Sequence, residues 1–281
     1  MTIGSGRVKA LWRHPVKSMQ GEMPDSAWFD EKGMLGDRAY AVLDMVTGIV
    51  ASAKHPTKWG KLLTCRAAFI AEPEPGRPLP PIRIVFPDGT EIASTSDAVD
   101  DMLSAWLGHE VRLISKPPAG AEREADRTEG ELGTAKDVRQ EALGLAAPGT
   151  FLDFAPIHVL STTTLESRAA RAPHSRFDPR RFRPNILIEG DGFAEHEWPG
   201  SSAAVGPLEM KFIDPTPRCV MTTLAQADLP RDPAVFAAAA RVKAPSITFA
   251  PGQMLSVIAG VHACAVNEGV VAVGDKLYGL T

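Results

Sequence analysis

Glycine and proline interrupt this chain about once every six residues, with 24 of each among 281 positions. Neither residue continues a helix or a β-ladder, so the apolar runs between them stay short. Short runs of that kind suit β-strands joined by turns. Ala39 to Asp44 and Ile49 to Ala53 flank Met45-Val-Thr-Gly48, which reads as a hairpin with Gly at its turn. Ile82 to Phe86 and Thr90 to Ala93 flank Pro87-Asp-Gly89, a second hairpin with an Asp-Gly turn. Ile258 to Val266 and Val270 to Val273, around Asn267-Glu-Gly269, read as a third. Asn185 to Glu189 is a short apolar strand. Helical periodicity is rarer. Asp97 to Leu107 places Val99, Met102, Leu103 and Trp106 on one face, with Ser96 as its cap. Thr162 to Ala172 and Pro233 to Arg241 also read as helices. The expected fold class is mostly β (α+β), a barrel or sandwich with a few helices attached.

Two proline-rich breaks divide the chain. One is Glu72-Pro-Glu-Pro-Gly-Arg-Pro-Leu-Pro-Pro81, and the other runs from Pro117-Pro118 through a polar stretch to about Arg139. The second is the better boundary and predicts two domains, 1–116 and 117–281. Lys plus Arg number 30 against 34 Asp plus Glu, a net charge of −4, which argues against a general nucleic-acid binder. The three cysteines, Cys65, Cys219 and Cys264, are odd in number and widely spaced, with no C-x-x-C pair. That is neither a disulfide framework nor a zinc or iron–sulfur pattern, and it suits a reducing compartment. The start, MTIGSGRVKALWRHPVK, has no apolar core of a secretory signal. The longest apolar stretch, near Val257 to Val266, is about half a membrane span. A cytoplasmic protein without a membrane partner is expected.

The common catalytic signatures are missing from the sequence: no phosphate loop, no dinucleotide fingerprint, no H-E-x-x-H and no G-x-S-x-G. Ser161, His158 and Asp153 contain the types of a hydrolytic triad, but nothing in their spacing selects them. Three features carry more. Six arginines fall between Arg168 and Arg183, and the last belongs to Phe182-Arg-Pro-Asn185 at the mouth of a strand. Arg presents a fork suited to phosphate and carboxylate, although ion pairs with Glu166 and Asp178 would equally occupy such a cluster. Cys219 follows Arg218 and a rigid Pro-Thr-Pro turn, and a neighbouring cation favours the thiolate that binds metals. Cys65 and Cys264 lie in apolar strand-like runs and read as buried hydrophobes. Finally, His14-Pro-Val-Lys-Ser18 and Gly36-Asp-Arg38 offer phosphate donors in Lys17, Ser18 and Arg38.

Together these motifs resemble the MOSC family, the molybdenum cofactor sulfurase C-terminal domain proteins, and within it the amidoxime-reducing type. His14-Pro-Val-Lys-Ser18 is similar to the family's Y-P-V-K-S, and Gly36-Asp-Arg38 and Gly48 to Lys54 follow it. Ala155-Pro-Ile-His-Val-Leu-Ser161, Phe182-Arg-Pro-Asn185, Glu195 to Trp198, Arg218-Cys-Val-Met-Thr-Thr223 and Val273-Gly-Asp-Lys-Leu-Tyr278 continue the match in order. The resemblance implies an N-terminal β-barrel-like domain, then a MOSC β-barrel domain with a few helices, and a molybdenum cofactor (Mo-molybdopterin) held between them. It implies Cys219 as the metal ligand, with Lys17, Ser18, Arg38, Arg183, Asn185 and Arg218 as cofactor contacts. It implies reduction of a small N-hydroxylated substrate. No C-x4-C-x2-C run is present, so the electron donor is expected to be a separate protein: a ferredoxin or cytochrome b5-like carrier with a flavin reductase. The alternative is a cofactor or sulfur carrier without turnover of its own. A third reading takes Cys219 as a nucleophile, with His158 or His262 as its base. Three departures bear on the substrate: Pro217 in place of Ser, Met19 in place of Cys, and Leu224 to Asp232 in place of D-P-x-T-G. Lys54 and His55 are candidates for its rim.

Overall fold

The computed structural model of the chain describes residues 3, 5–129, 134–190, 195–239 and 257–280. In chain order the first half holds β1 (Gly6–Leu11), β2 (Ser26–Asp30), β3 (Gly33–Met34), β4 (Ala41–Asp44), α1 (Pro56–Trp59), β5 (Arg66–Phe69), β6 (Ile82–Val85), β7 (Glu91–Ala93), α2 (Val99–Leu107) and β8 (Val111–Ile114). The second half holds β9 (Glu122–Glu129), β10 (Thr134–Ala142), β11 (Ile157–Ser161), α3 (Thr162–Ala169), β12 (Ile186–Glu189), β13 (Ser202–Val205), β14 (Leu208–Pro217), α4 (Pro233–Ala239), β15 (Ile258–Ala265), β16 (Gly269–Ala272) and β17 (Lys276–Leu280). The mostly β expectation holds.

Seven strands close into a barrel in the order β1-β12-β11-β15-β14-β13-β17. All neighbours are antiparallel except β11 and β12. Strand side chains alternate, so Val8, Ile157, Val159, Ile186, Ile188, Met210, Phe212 and Val261 fill one core. Leu160 and Leu187 point the other way, under Leu165 of α3 and Val235 of α4. Burial on both faces explains why β12 reads as a continuous apolar run. A second core, with Val16, Met19, Val42, Trp59, Ile82, Ile84, Leu103 and Val111, lies under the short sheets β5-β6-β7 and β4-β8 and helix α2. Residues 12–20 therefore cross from one core to the other, because β1 belongs to the barrel while Val16 and Met19 belong to the second core.

Local expectations fare differently. The Asp-Gly hairpin forms as β6 and β7. The Gly48 hairpin closes through Asp44 N–H to Ile49 O at 3.0 Å and Ala51 N–H to Val42 O at 2.8 Å. Ser161 caps α3 by accepting from Thr164 N at 3.0 Å. Ser96 is not the cap of α2: Ala98 holds that position, and the Ser96 hydroxyl accepts from Ala98 N at 3.3 Å. The expected helix from Pro233 forms to Ala239, and Ala240 and Arg241 lie outside the described residues. The third hairpin does not form. β15 stays in the barrel, while β16 leaves it and pairs with β2. Asn267 redirects the chain by donating to Pro207 O at 3.0 Å and accepting from Glu209 N at 2.8 Å, which ties the turn to the β13–β14 connection. Among the described residues no helix is long and apolar enough to cross a membrane.

Candidate functional site

Where the two cores meet, the backbone adopts conformations that most side chains avoid. Ser18, Arg38 and Arg183 have φ of 66°, 49° and 55°, in the left-handed region. Each such residue costs on the order of 1 kcal/mol or more and persists only where its surroundings fix it. Here Lys17 N–H donates to Tyr40 O at 2.9 Å, Arg38 N–H to His14 O at 2.7 Å and Arg183 N–H to Pro179 O at 3.0 Å. Gly36, also at positive φ, is required by space as well, since a Cβ there would sit 2.5 Å from the Phe69 ring. The next residue, Asp37, is the hub of the crossing. Its carboxylate accepts from His14 N–H at 2.8 Å and from the Asn185 amide at 2.9 Å, and it pairs with Arg38. Burial pushes this carboxyl up, but Arg38 and the His14 contacts outweigh it and hold the pKa below the usual range.

Asn185 was expected to contact a cofactor, and its side chain is committed elsewhere. Its amide donates to Asp37 and to Trp12 O at 3.4 Å, and its oxygen accepts from His158 N at 3.0 Å. Asn185 ties β1, β11 and the Gly36-Asp-Arg38 turn together and so positions the others.

The cations around this hub outnumber the carboxylates. Arg183 is 8% exposed, donates one Nη1 bond to Met19 O at 2.7 Å, and leaves Nη2 buried without a hydrogen-bond partner among the described residues. Burial lowers its pKa to about 9, with Arg38 adding to the effect. Arg218 donates Nη2 to Phe182 O at 2.7 Å, stacks over the Phe182 ring and leaves Nε unpartnered. Burial lowers it to about 10. Lys17, 5% exposed, donates to Phe151 O at 2.8 Å and pairs with Asp153. Burial pushes the Lys17 ammonium down to about 7 against the pull of Asp153. Asp153 also pairs with Lys54 at 2.8 Å and Arg123 at 2.9 Å. Burial would raise the Asp153 carboxyl, yet Arg123, Lys17 and Lys54 hold it well below the usual range. Lys17, Lys54, Arg123, Arg38, Arg183 and Arg218 thus share one neighbourhood with Asp37 and Asp153, and Arg123 also pairs with Glu141. Unpartnered guanidinium nitrogens in such a field form a grip for an anion.

Cys219 enters this field from the end of β14. It follows Arg218, precedes a 3-10 turn at Val220–Thr223, and packs half-buried against Ala53, Leu63 and Met221. Ser18 reaches the same strip, accepting from Ala53 N at 3.0 Å. The other two thiols do not share this setting: burial pushes Cys65 up to about 11 and raises Cys264. Among the described residues no group of three or more His, Cys, Asp or Glu could hold a metal ion. A metal beside Cys219 would therefore have to bring most of its own ligands.

The alternative chemistries lack their geometry. Ser161 Oγ donates to Glu195 at 2.7 Å, Asp153 serves Lys17, Lys54 and Arg123, and the ring nitrogens of His158 face Arg183 O and Ala259 O, so no triad forms. Among the described residues no histidine is hydrogen-bonded to Cys219. Lys54 joins the site through Asp153, but His55 turns to Asp126. The sequence reading missed Asp37, Arg123, Asp153 as a charge hub, and His14. Asp37 had a signal as the middle residue of Gly36-Asp-Arg38, and His14 as the first of His14-Pro-Val-Lys-Ser18. Arg123 arrives on β9, far away in sequence.

Residues 147–278 match the model of the MOSC domain, and residues 5–62 match that of the MOSC N-terminal beta barrel domain. The mitochondrial amidoxime reducing component 2 of Rattus norvegicus is 24% identical over 228 residues, which cover 78% of this chain and 67% of that protein. Its Bos taurus counterpart is 24% identical over 239 residues, 78% of this chain and 66% of that one. The chain thus spans about two thirds of the length of these relatives. Among solved structures, the YUAD protein from Bacillus subtilis is 12% identical with a TM-score of 0.42, the match covering 99% of this chain and 97% of that one.

Proposed function

The chain belongs to the MOSC domain family, and from that premise we propose that its charged seam holds a molybdenum cofactor and reduces N-hydroxylated compounds. MOSC domains are associated with the molybdenum cofactor, and the two mammalian relatives are named amidoxime reducing components. The observation that carries the reading is a buried pair of arginines, Arg183 and Arg218, which among the described residues have no carboxylate in ion-pair contact and keep unpartnered nitrogens, beside a half-buried thiol. The donor set suits the group. A pterin phosphate calls for cationic forks and hydroxyls, which Arg183, Arg38, Lys17 and Ser18 offer. A metal that brings its own dithiolene sulfurs calls for one soft thiolate, which Cys219 offers.

In this reading Arg183, Arg38, Lys17 and Ser18 would bind the phosphate and pterin, and Arg218, directly before Cys219 in the chain, would add a further cationic contact to the cofactor. Asn185 and Asp37 orient those cations. The bound cofactor supplies two-electron redox chemistry. Reduction of an N–OH group consumes two electrons and two protons and releases water with the reduced nitrogen compound. The electrons come from a separate carrier of the ferredoxin or cytochrome b5 type with its flavin reductase.

The test is molybdenum and pterin per chain, for wild type and Cys219→Ala, purified from a host that makes the cofactor. Near-stoichiometric metal in wild type and its loss in the variant support the reading. Wild type that carries neither, and takes up neither when offered, overturns it. Loaded protein supplied with a chemical reductant and a panel of hydroxylamines and amidoximes should form the reduced products. Loaded protein that turns over none of them is a carrier.

A further inference from the structure

Arg183 accounts for only one of the six arginines clustered between 168 and 183, and its neighbour Arg181 is buried for a different purpose. Arg181 is 1% exposed, and among the described residues no carboxylate is in ion-pair contact with it. Its guanidinium instead collects main-chain carbonyls. Nε donates to Arg176 O at 3.1 Å, Nη1 to Thr222 O at 3.2 Å and Leu224 O at 3.1 Å, and Nη2 to Pro230 O at 2.7 Å. Three of these carbonyls belong to the loop that follows Cys219. Thr222 completes the link, because its N–H and hydroxyl both donate to Cys219 O, at 3.2 and 3.0 Å.

The same loop is held at other points. Gln226 donates to Met221 O at 3.1 Å and accepts from Gln20 at 3.3 Å. Gln226 and Leu229 exchange main-chain bonds across a turn whose Ala227 has φ of 46°. Asp228 at the tip is gripped by Arg180 at 2.6 Å and Arg176 at 3.1 Å. A loop held in a strained shape by so many side chains is fixed for a reason. It also contains one of the three departures from the family pattern, Leu224 to Asp232.

We propose that Arg181 is a positioning residue for Cys219: by binding the carbonyls of Thr222, Leu224 and Pro230 it fixes the turn from which the thiol projects. Its part in cofactor binding rests on the reading of Cys219 above. Its part in placing the thiol does not, and the test separates the two. Full-length wild type, Arg181→Met and Arg181→Lys are each prepared metal-free, and alkylation of Cys219 by iodoacetamide is followed by peptide mass spectrometry. Cys264 in the same molecules is the reference. Arg181→Met should speed Cys219 alkylation about tenfold and leave Cys264 unchanged. Arg181→Lys, with the charge but not the fork, should recover part of the effect and remain about threefold faster than wild type. The same variants from a cofactor-producing host should retain about tenfold less molybdenum with Met than wild type, and give an altered Mo(V) resonance signal. Folded Arg181→Met with wild-type Cys219 alkylation and wild-type molybdenum overturns the proposal. If the Met variant does not fold, the Lys variant decides: selective acceleration at Cys219 supports the role, and the wild-type rate overturns it. Wild type without molybdenum sinks the functional reading, while the alkylation rates still settle Arg181.

Discussion

Inside the barrel, Ile157, Val159, Ile186, Ile188, Phe212 and Val261 meet as apolar side chains from four strands, alternating inward as strand geometry dictates. At the barrel's edge, where residues 12–20 cross to the second core, Arg183 and Arg218 each leave a buried nitrogen without a hydrogen-bond partner among the described residues. Ser18, Arg38 and Arg183 hold left-handed backbone there. The named side chains of the first region follow strand alternation and supply stability. The second departs from it repeatedly, which a fold tolerates only where the first region is strong enough to carry the cost. The contrast locates the site without reference to any motif, since strain and unsatisfied donors gather where a ligand would satisfy them.

Substitutions on the two sides should therefore differ in kind. The largest effect is expected from Phe212→Ala, which empties a fully buried position packed 4.9 Å from the Trp198 ring centroid. It should cost about 3–5 kcal/mol in urea unfolding. A loss below about 1 kcal/mol would mean that the barrel interior is not the stabilising half.

Part of the pH dependence of stability should come from the seam, beside that of the buried His158 and His262 on β11 and β15. Burial, with Arg183 and Arg38 nearby, lowers His14 to about 3, so it folds neutral. The unfolded chain takes up that proton near pH 6.5 and the folded chain does not, so stability falls as pH drops from about 6.5 toward 3. For His14 alone the loss reaches about 2–3 kcal/mol by pH 4.5. Asp37, with its lowered pKa, acts in a separate window, since its contribution is lost only as pH falls below the usual carboxylate range. Unfolding curves of His14→Gln between pH 4.5 and 7 should be flatter than wild type by that amount. Parallel curves would place the pH dependence outside the seam.

Arg183→Met sharpens the comparison from the other direction. The side chain is buried and among the described residues has no carboxylate in ion-pair contact, so removing the charge relieves desolvation while losing one bond to Met19 O. Stability of the cofactor-free protein should stay within about 1 kcal/mol of wild type. Cofactor retention should fall about tenfold or more. A loss of several kcal/mol, with retention unchanged, would make Arg183 an ordinary structural residue and erase the difference between the regions.

Legibility in the sequence follows the same division. The β6–β7 hairpin and β12 were readable because turn chemistry and apolar runs are local. The convergence of Lys17, Arg38, Arg183 and Cys219 was readable only through family motifs, since nothing in their spacing brings segments so far apart together. Asn185 was read as a cofactor contact because a motif names a position and not a hydrogen bond. The amide is consumed by Trp12 and Asp37, neither of which lies near it in sequence. The pairing of β16 with β2 was hidden for a similar reason. Asn267 and Gly269 suggest a tight turn, and the bonds to Pro207 and Glu209 that redirect it depend on the closed barrel.

The smallest expected effects give the cleanest contrast, because they change the same atom in the two regions. Ala203 sits fully buried in β13, paired in register with Met210 and Gly279. Ala227 sits exposed at φ 46° in the loop beyond Cys219. Replacing Ala203 by Gly frees backbone that the strand must then order, and should cost about 1 kcal/mol. Replacing Ala227 by Gly removes a Cβ from a conformation that Gly adopts freely, and should stabilise by about 0.5–1 kcal/mol. Opposite signs in paired urea titrations would show that the loop stores strain where the barrel does not. A destabilising Ala227→Gly would mean that the loop is relaxed, and the reason for gripping it with Arg176, Arg180 and Arg181 would have to lie in chain entropy alone.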